Sequence, residues 1–193
     1  MGYAGGTRQH PTYHNLGDHT ETIEIDFDPA VISYEKLLEI FWRSHSPGQP
    51  TWSRQYRAVI FYHGEGQKAL ALKTRDQVAA RLQGPVATEI LPAGPFTLAE
   101  GYHQKYYLRQ NPDLLAEFEA IYPTPEALAG STAAARVNGY LAGYGTPAEL
   151  RAELDGLGLS ADSCRKLLDR VGAAAHRSGP GCPVPGKPAS RAG

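Results

Sequence analysis

The chain has 193 residues, enough for one domain with a short appendage. Hydrophobic residues make up 41% and charged residues 20%, which permits a packed core and argues against wholesale disorder. A formal net charge of −1 gives no electrostatic reason to expect nucleic acid or an anionic membrane as partner. No stretch approaches the ~18–20 apolar residues of a membrane span, and the polar, glycine-rich opening is not expected to be a signal peptide. Two cysteines, Cys164 and Cys182, are too few for a disulfide scaffold. A soluble cytoplasmic monomer is the expectation.

The chain opens on GYAGG (residues 2–6), which is expected to supply a positive-φ bend rather than a dinucleotide site. An aromatic- and histidine-rich loop follows. Residues 19–27, HTETIEIDF, alternate with period two and predict a half-buried strand with Ile23, Ile25 and Phe27 inward. A helix is predicted from a Ser33 cap, with Glu35 in its first turn and Leu37, Leu38, Phe41 and Trp42 as its apolar stripe. QYRAVIFYH (55–63) predicts a second strand, residues 66–82 a second helix, and PVATEILPAGPF a third strand ended by Pro92 and Gly94. This alternation is α+β or α/β. Residues 113–175 predict helices only. Thr146, Pro147 and Glu149 form a capping-box start, and a Ser160 cap puts Cys164, Leu167, Leu168 and Val171 on one face. Residues 176–193, rich in Gly and Pro, predict a disordered tail.

Among residues able to carry chemistry, Glu21 has the parity of Ile23, Ile25 and Phe27. A carboxyl at the end of an apolar face is desolvated, which favours its neutral, proton-donating form. The competing reading has Glu21 at a frayed strand start, reaching solvent. Tyr3, Tyr13, Tyr56, Tyr102, Tyr106 and Tyr107 lie in loops or at strand ends, where a ring can be buried and its hydroxyl offered to a ligand. His10, His14 and His19 are close in sequence, but Pro11 breaks any helix that would align the first two. No metal-ligand spacing accompanies them, so no metal is expected.

Taken together, GYAGGTRQHPTYHNLGDHTETIEIDFDP, RQYRAVIFYH, TEILPAGPFTLAEGYHQKYY and the NP at 111–112 resemble peptide methionine sulfoxide reductase A, almost without a break over residues 2–112. The resemblance implies an α+β fold: a ferredoxin-like two-layer sandwich over residues 1–112, lacking its first strand and helix. A helical C-terminal extension over 113–175 and a tail over 176–193 would follow. It also implies a reaction. A cysteine thiolate attacks the sulfoxide sulfur, a protonated glutamate protonates the oxygen, and tyrosine hydroxyls hold that oxygen. Methionine leaves, and the resulting sulfenic acid condenses with a second thiol and is reset by thioredoxin. Carried over by motif, Glu21 is the proton donor, Tyr13 and Tyr56 hold the oxygen, and His103 and Tyr106 line or support the site. The partners implied are oxidised methionine, free or in proteins, and a thioredoxin-like reductant. No cofactor is implied beyond that external thiol.

The family's nucleophile belongs to a GCFWG segment upstream of GYAGG, and this chain begins after that point. The expectation is a longer natural product, with a nucleophile codon that could be UGA for selenocysteine. The alternative is a catalytically inactive, sulfoxide-binding or interaction relative. Two further departures stand out. NPDLLAEF replaces the segment where many members carry a resolving cysteine, and TWSRQY, with Trp52, replaces a GNDxGTQY loop. Cys164 is expected in the core, which leaves Cys182 on the tail as the candidate resolving thiol.

Overall fold

A computed structural model describes residues 1–177. The tail expected from residue 176 lies outside these residues, except for 176 and 177, which end the last helix, and Cys182 lies outside them altogether. The chain divides into two compact units, Met1–Glu100 and the residues from Gly101 onward.

In the first unit, the opening residues are not only a bend. Gly2–Ala4 (β1) is a strand, the central one of a three-stranded antiparallel sheet. Its neighbours are Thr20–Thr22 (β2) and Thr97–Leu98 (β5). A side chain at Gly2 would overlap the Thr97 carbonyl and the Phe96 ring, so glycine permits the close pairing with β5. The expected bend follows at Gly5, where φ is +76°. Tyr3 is fully buried and pairs directly with Glu21 across β1 and β2, so the two side chains share a sheet face.

The strand predicted over 19–27 is cut to three residues. The register pairs Gly2 with Thr22, and the residues beyond Thr22 have no strand partner among the described residues. Ile23 and Ile25 are consequently 72% and 54% exposed, and Phe27 instead stacks on Tyr34, with centroids 6.4 Å apart. The expected apolar, inward face after Glu21 is therefore absent.

The rest of the first unit is a β-α-β crossover. Val59–Tyr62 (β3) and Glu89–Pro92 (β4) pair in parallel, joined through Gly64–Leu82 (α2). Both strands are shorter than the sequence runs that predict them, because residues 54–56 form a 3₁₀ turn and residues 85–88 a loop. Tyr34–Arg43 (α1) starts at Ser33, whose Oγ accepts the Lys36 N–H at 3.2 Å as expected. Leu38 and Trp42 of α1 bury against Ile60, Ala71 and Val78. Trp42 Nε1 donates to Thr74 Oγ1 at 2.9 Å, so the indole is buried without an orphaned donor.

The second unit is helical: Tyr106–Arg109 (α3), Pro112–Ile121 (α4), Pro125–Gly130 (α5), Thr132–Leu141 (α6), Pro147–Glu153 (α7) and Ala161–Arg177 (α8). Leu108, Leu114, Phe118, Leu128, Val137, Leu150, Leu157 and Leu167 form its core. The helix starts follow the sequence closely. Thr124, Ser131 and Ser160 accept backbone N–H groups three residues on, at 3.1–3.2 Å. Thr146 and Glu149 close the full capping box. Cys164 is only half-buried. Burial, with the charges of Glu117 and Asp155, pushes its thiol pKa up, which disfavours the reactive thiolate.

Thr146→Ala removes one acceptor and leaves an N–H of α7 unsatisfied. The expected loss is about 1 kcal/mol of unfolding free energy in a urea titration, with no change in the helical circular dichroism of the folded state.

Candidate active site

The site residues stand on two segments that carry little regular structure of their own. The first is the loop from Gly5 to His19, which presents Tyr13 at a tight turn closed by Asn15 N–H donating to the Thr12 carbonyl at 3.0 Å. The second is the 3₁₀ turn Arg54–Tyr56. Each is held to the sheet by buried or half-buried polar side chains.

The loop is pinned at three places. Asp18 accepts the Thr7 N–H at 2.8 Å, the Thr7 hydroxyl at 3.0 Å and the Arg8 N–H at 3.2 Å. These donors, the Thr7 N–H first, hold its carboxyl at a pKa of about 2, below the ordinary 3.8. His19, 5% exposed, accepts the Gly6 N–H on Nδ1 at 3.3 Å and donates from Nε2 to the Arg8 carbonyl at 2.9 Å. Those partners specify one neutral tautomer, so this histidine is a fastener of the loop. Glu100 accepts the Tyr13 N–H on one oxygen at 3.0 Å and the Tyr3 hydroxyl on the other at 2.6 Å.

The turn is stapled to β2 by consecutive residues. Thr20 donates its hydroxyl to the Arg54 carbonyl at 3.1 Å and accepts Arg57 Nε at 2.8 Å. Gln55 Nε2 donates to Glu21 Oε1 at 2.6 Å. Tyr56, next in the chain, reaches Tyr13 by a side-chain hydrogen bond and lies within the field of Glu21. Desolvation first, then the bond to Tyr13, then the Glu21 charge raise the Tyr56 pKa, which keeps its phenol protonated as a donor.

The structure thus brings Tyr13, Glu21 and Tyr56 together, with Glu21 half-buried and Tyr56 52% exposed. The cluster joins a carboxyl that can carry a proton to two hydroxyls that can hold a polar oxygen. His103 and Tyr106 belong to the second unit. His103 is half-buried with its ring against Tyr102, centroids 4.2 Å apart, and Tyr106 is exposed, edge-on to Tyr107. Sequence reasoning missed Gln55, Asp18 and Glu100. Of these only Asp18, beside Gly17 in a turn-forming pair, carries a local signal. Among the described residues, no group of three or more His, Cys, Asp or Glu side chains could hold a metal ion. No helix among them is long and apolar enough to cross a membrane.

Two titrations check this geometry. A depressed folded-state pKa stabilises the fold fully above the unfolded value and is lost as pH falls through the folded one. The loop clamp should therefore weaken between about pH 4 and pH 2, as Asp18 moves from 3.8 toward about 2. Carboxyl carbon shifts should place the Asp18 midpoint near 2, and a midpoint near 4 would contradict the clamp. For Tyr56, Glu21→Gln removes a negative charge, so the phenol should ionise at lower pH than in the parent, read from its Cζ shift.

Comparison with known proteins places this chain in a family. The family model described as peptide methionine sulfoxide reductase matches residues 1–128. A second, described as selenoprotein methionine sulfoxide reductase A, helical domain, matches residues 124–166. A peptide methionine sulfoxide reductase of Drosophila melanogaster is 42% identical over 83% of this chain and 65% of its own length. Peptide methionine sulfoxide reductase A5 of Oryza sativa subsp. japonica is 42% identical over 76% and 59%. MsrA of Methanosarcina acetivorans is 42% identical over 55% and 63%. The chain spans less than two thirds of the length of each of these relatives. With a family match running from its first residue through residue 128, the chain belongs to the peptide methionine sulfoxide reductase family.

Proposed function

We propose that this protein acts as a peptide-methionine (S)-S-oxide reductase in the repair of oxidised methionine, with Glu21 as the proton donor. The observation that carries this is that Tyr56 is hydrogen-bonded to Tyr13 and lies in the field of the Glu21 carboxyl, at the motif positions where the resemblance puts the acid and the oxygen-holding tyrosines. The relatives' names support the same reaction class.

The chemistry runs as follows. A thiolate or selenolate attacks the sulfoxide sulfur, and negative charge grows on the oxygen. Tyr13 and Tyr56 donate hydrogen bonds to that oxygen, and Glu21 delivers a proton to it. The S–O bond breaks with loss of water. Water then attacks the sulfur or selenium of the nucleophile, breaking its bond to the substrate sulfur, so that methionine leaves, a proton is released and the nucleophile remains as a sulfenic or selenenic acid. A second thiol condenses with it, expelling water. A thioredoxin-like reductant then reduces the resulting bond and restores both groups. Cys182 is the proposed second thiol, and His103 and Tyr106 are proposed to support the site. The fold proposed to carry this is a ferredoxin-like sandwich over residues 1–112, followed by a helical extension over 113–175 and a tail, in a cytoplasmic monomer.

Gln55 has a defined part in this scheme. Its amide occupies Oε1 of Glu21 at 2.6 Å, so a proton on the carboxyl resides on Oε2.

The test is single-turnover reduction of the separated S and R sulfoxide epimers by the gene product as its cell makes it. The S epimer alone should react. Glu21→Gln should keep the fold and slow the reaction by about 10²–10⁴-fold. Tyr13→Phe and Tyr56→Phe each remove one neutral hydrogen bond and should cost less, about 1–2 kcal/mol in the barrier. Reduction by Glu21→Gln at the parent rate would sink the assignment.

A further inference from the structure

The 3₁₀ turn that carries Gln55 and Tyr56 also borders a cleft of about 430 Å³, lined by Thr51, Trp52, Arg54, Arg57 and Glu89. Trp52 is 91% exposed, the most exposed of the large hydrophobic side chains among the described residues. An indole held in water has a large apolar area to offer a partner, and such residues are the usual anchors of recognition surfaces.

The charges around the cleft are unequal. Glu89 is answered by Arg57, whose Nη1 reaches both its oxygens at 3.0 Å. Arg57 is further fixed through Nε to Thr20, so this pair is a wall of the cleft rather than a free charge. The Arg54 side chain is exposed and makes no ion pair or side-chain hydrogen bond among the described residues. Its backbone is anchored, with its carbonyl accepting the Thr20 hydroxyl. A fixed backbone carrying an uncompensated guanidinium, beside an uncovered indole, matches a carboxylate on an apolar stem. Arg54 is also two residues before Tyr56 and one before the residue that holds Glu21. The cleft and the Glu21 cluster thus share one 3₁₀ turn as their scaffold.

We propose that this cleft is a specificity site for peptide substrates and takes an acidic residue adjoining the methionine sulfoxide. Arg54 pairs with its carboxylate and Trp52 packs on its stem. This rests on the sulfoxide-binding reading of the Glu21 cluster and adds a preferred substrate class to it.

The test is calorimetric titration of the chain with pentapeptides acetylated and amidated at their ends, so that no terminal carboxylate competes. A central methionine sulfoxide is flanked by Glu, Gln or Lys. The Glu peptide should bind about tenfold more tightly than the Gln peptide, the effect of one charge-assisted pair at an open site, and the Lys peptide should bind most weakly. Arg54→Gln should abolish the difference between Glu and Gln, and Arg54→Glu should invert the order in favour of Lys. Trp52→Ala should weaken all three peptides by a similar factor. Both side chains are exposed, and far-UV circular dichroism should confirm that the variants fold. Equal affinity for Glu and Gln peptides, a preference that survives Arg54→Gln, or no binding of any peptide would overturn the proposal. If the plain methionine version of the Glu peptide binds as tightly as its sulfoxide, the fault lies in the reading of the Glu21 cluster and not in the role of Arg54.

Discussion

The carboxylate of Glu100 is the point on which the site geometry depends. Tyr3, fully buried in the central strand, needs an acceptor for its hydroxyl, and one Glu100 oxygen supplies it at 2.6 Å. The other oxygen holds the backbone of Tyr13. Glu100 is in place because β5 pairs with β1, a closure extended by Ala99 N–H donating to the Met1 carbonyl at 3.1 Å. One side chain thus ties the last strand, the central strand and a long irregular loop to one another. A loop without its own ladder cannot hold a hydroxyl to a fraction of an ångström by itself. Here it borrows rigidity from the sheet.

Two carboxylates in the first unit carry unequal sets of hydrogen-bond donors. Asp18 is surrounded by N–H and O–H donors from Thr7 and Arg8, which stabilise its charge and turn it into a structural peg. Glu21 accepts one N–H, from the Gln55 amide, and its charge acts on the Tyr56 phenol. Each donor of this kind favours the charged form of a carboxyl, which is why the Asp18 pKa is depressed. The motif resemblance, rather than the hydrogen bonding, singles out Glu21 among the acidic residues.

Much of the second unit was legible because its signals are local. Thr146, Pro147 and Glu149 specify a helix start within four residues, and the structure has the full capping box there. Ser33 and Ser160 are equally readable. The first unit was less legible because its determinants are distant in sequence. Three residues with two of them small, Gly2–Ala4, have no strand periodicity to detect, yet pairing on both sides makes them the centre of a sheet. The alternation over 23–27 is genuine as a pattern, but alternation predicts burial only where a neighbouring strand is in register. Gln55 and Glu100 act on partners 34 and 87–97 residues away, a separation no local window spans.

The sheet's outer strand raises a matter of solubility. β2 is an edge strand, and just past it Ile23 and Ile25 alternate in the open with Glu24 and Asp26, also exposed. Apolar alternation at a sheet edge is a template for pairing between molecules, and interleaved like charges oppose that pairing by repulsion between apposed copies. Glu24 and Asp26 therefore act as gatekeepers of this segment. Their protection is electrostatic, so it fades as ionic strength rises.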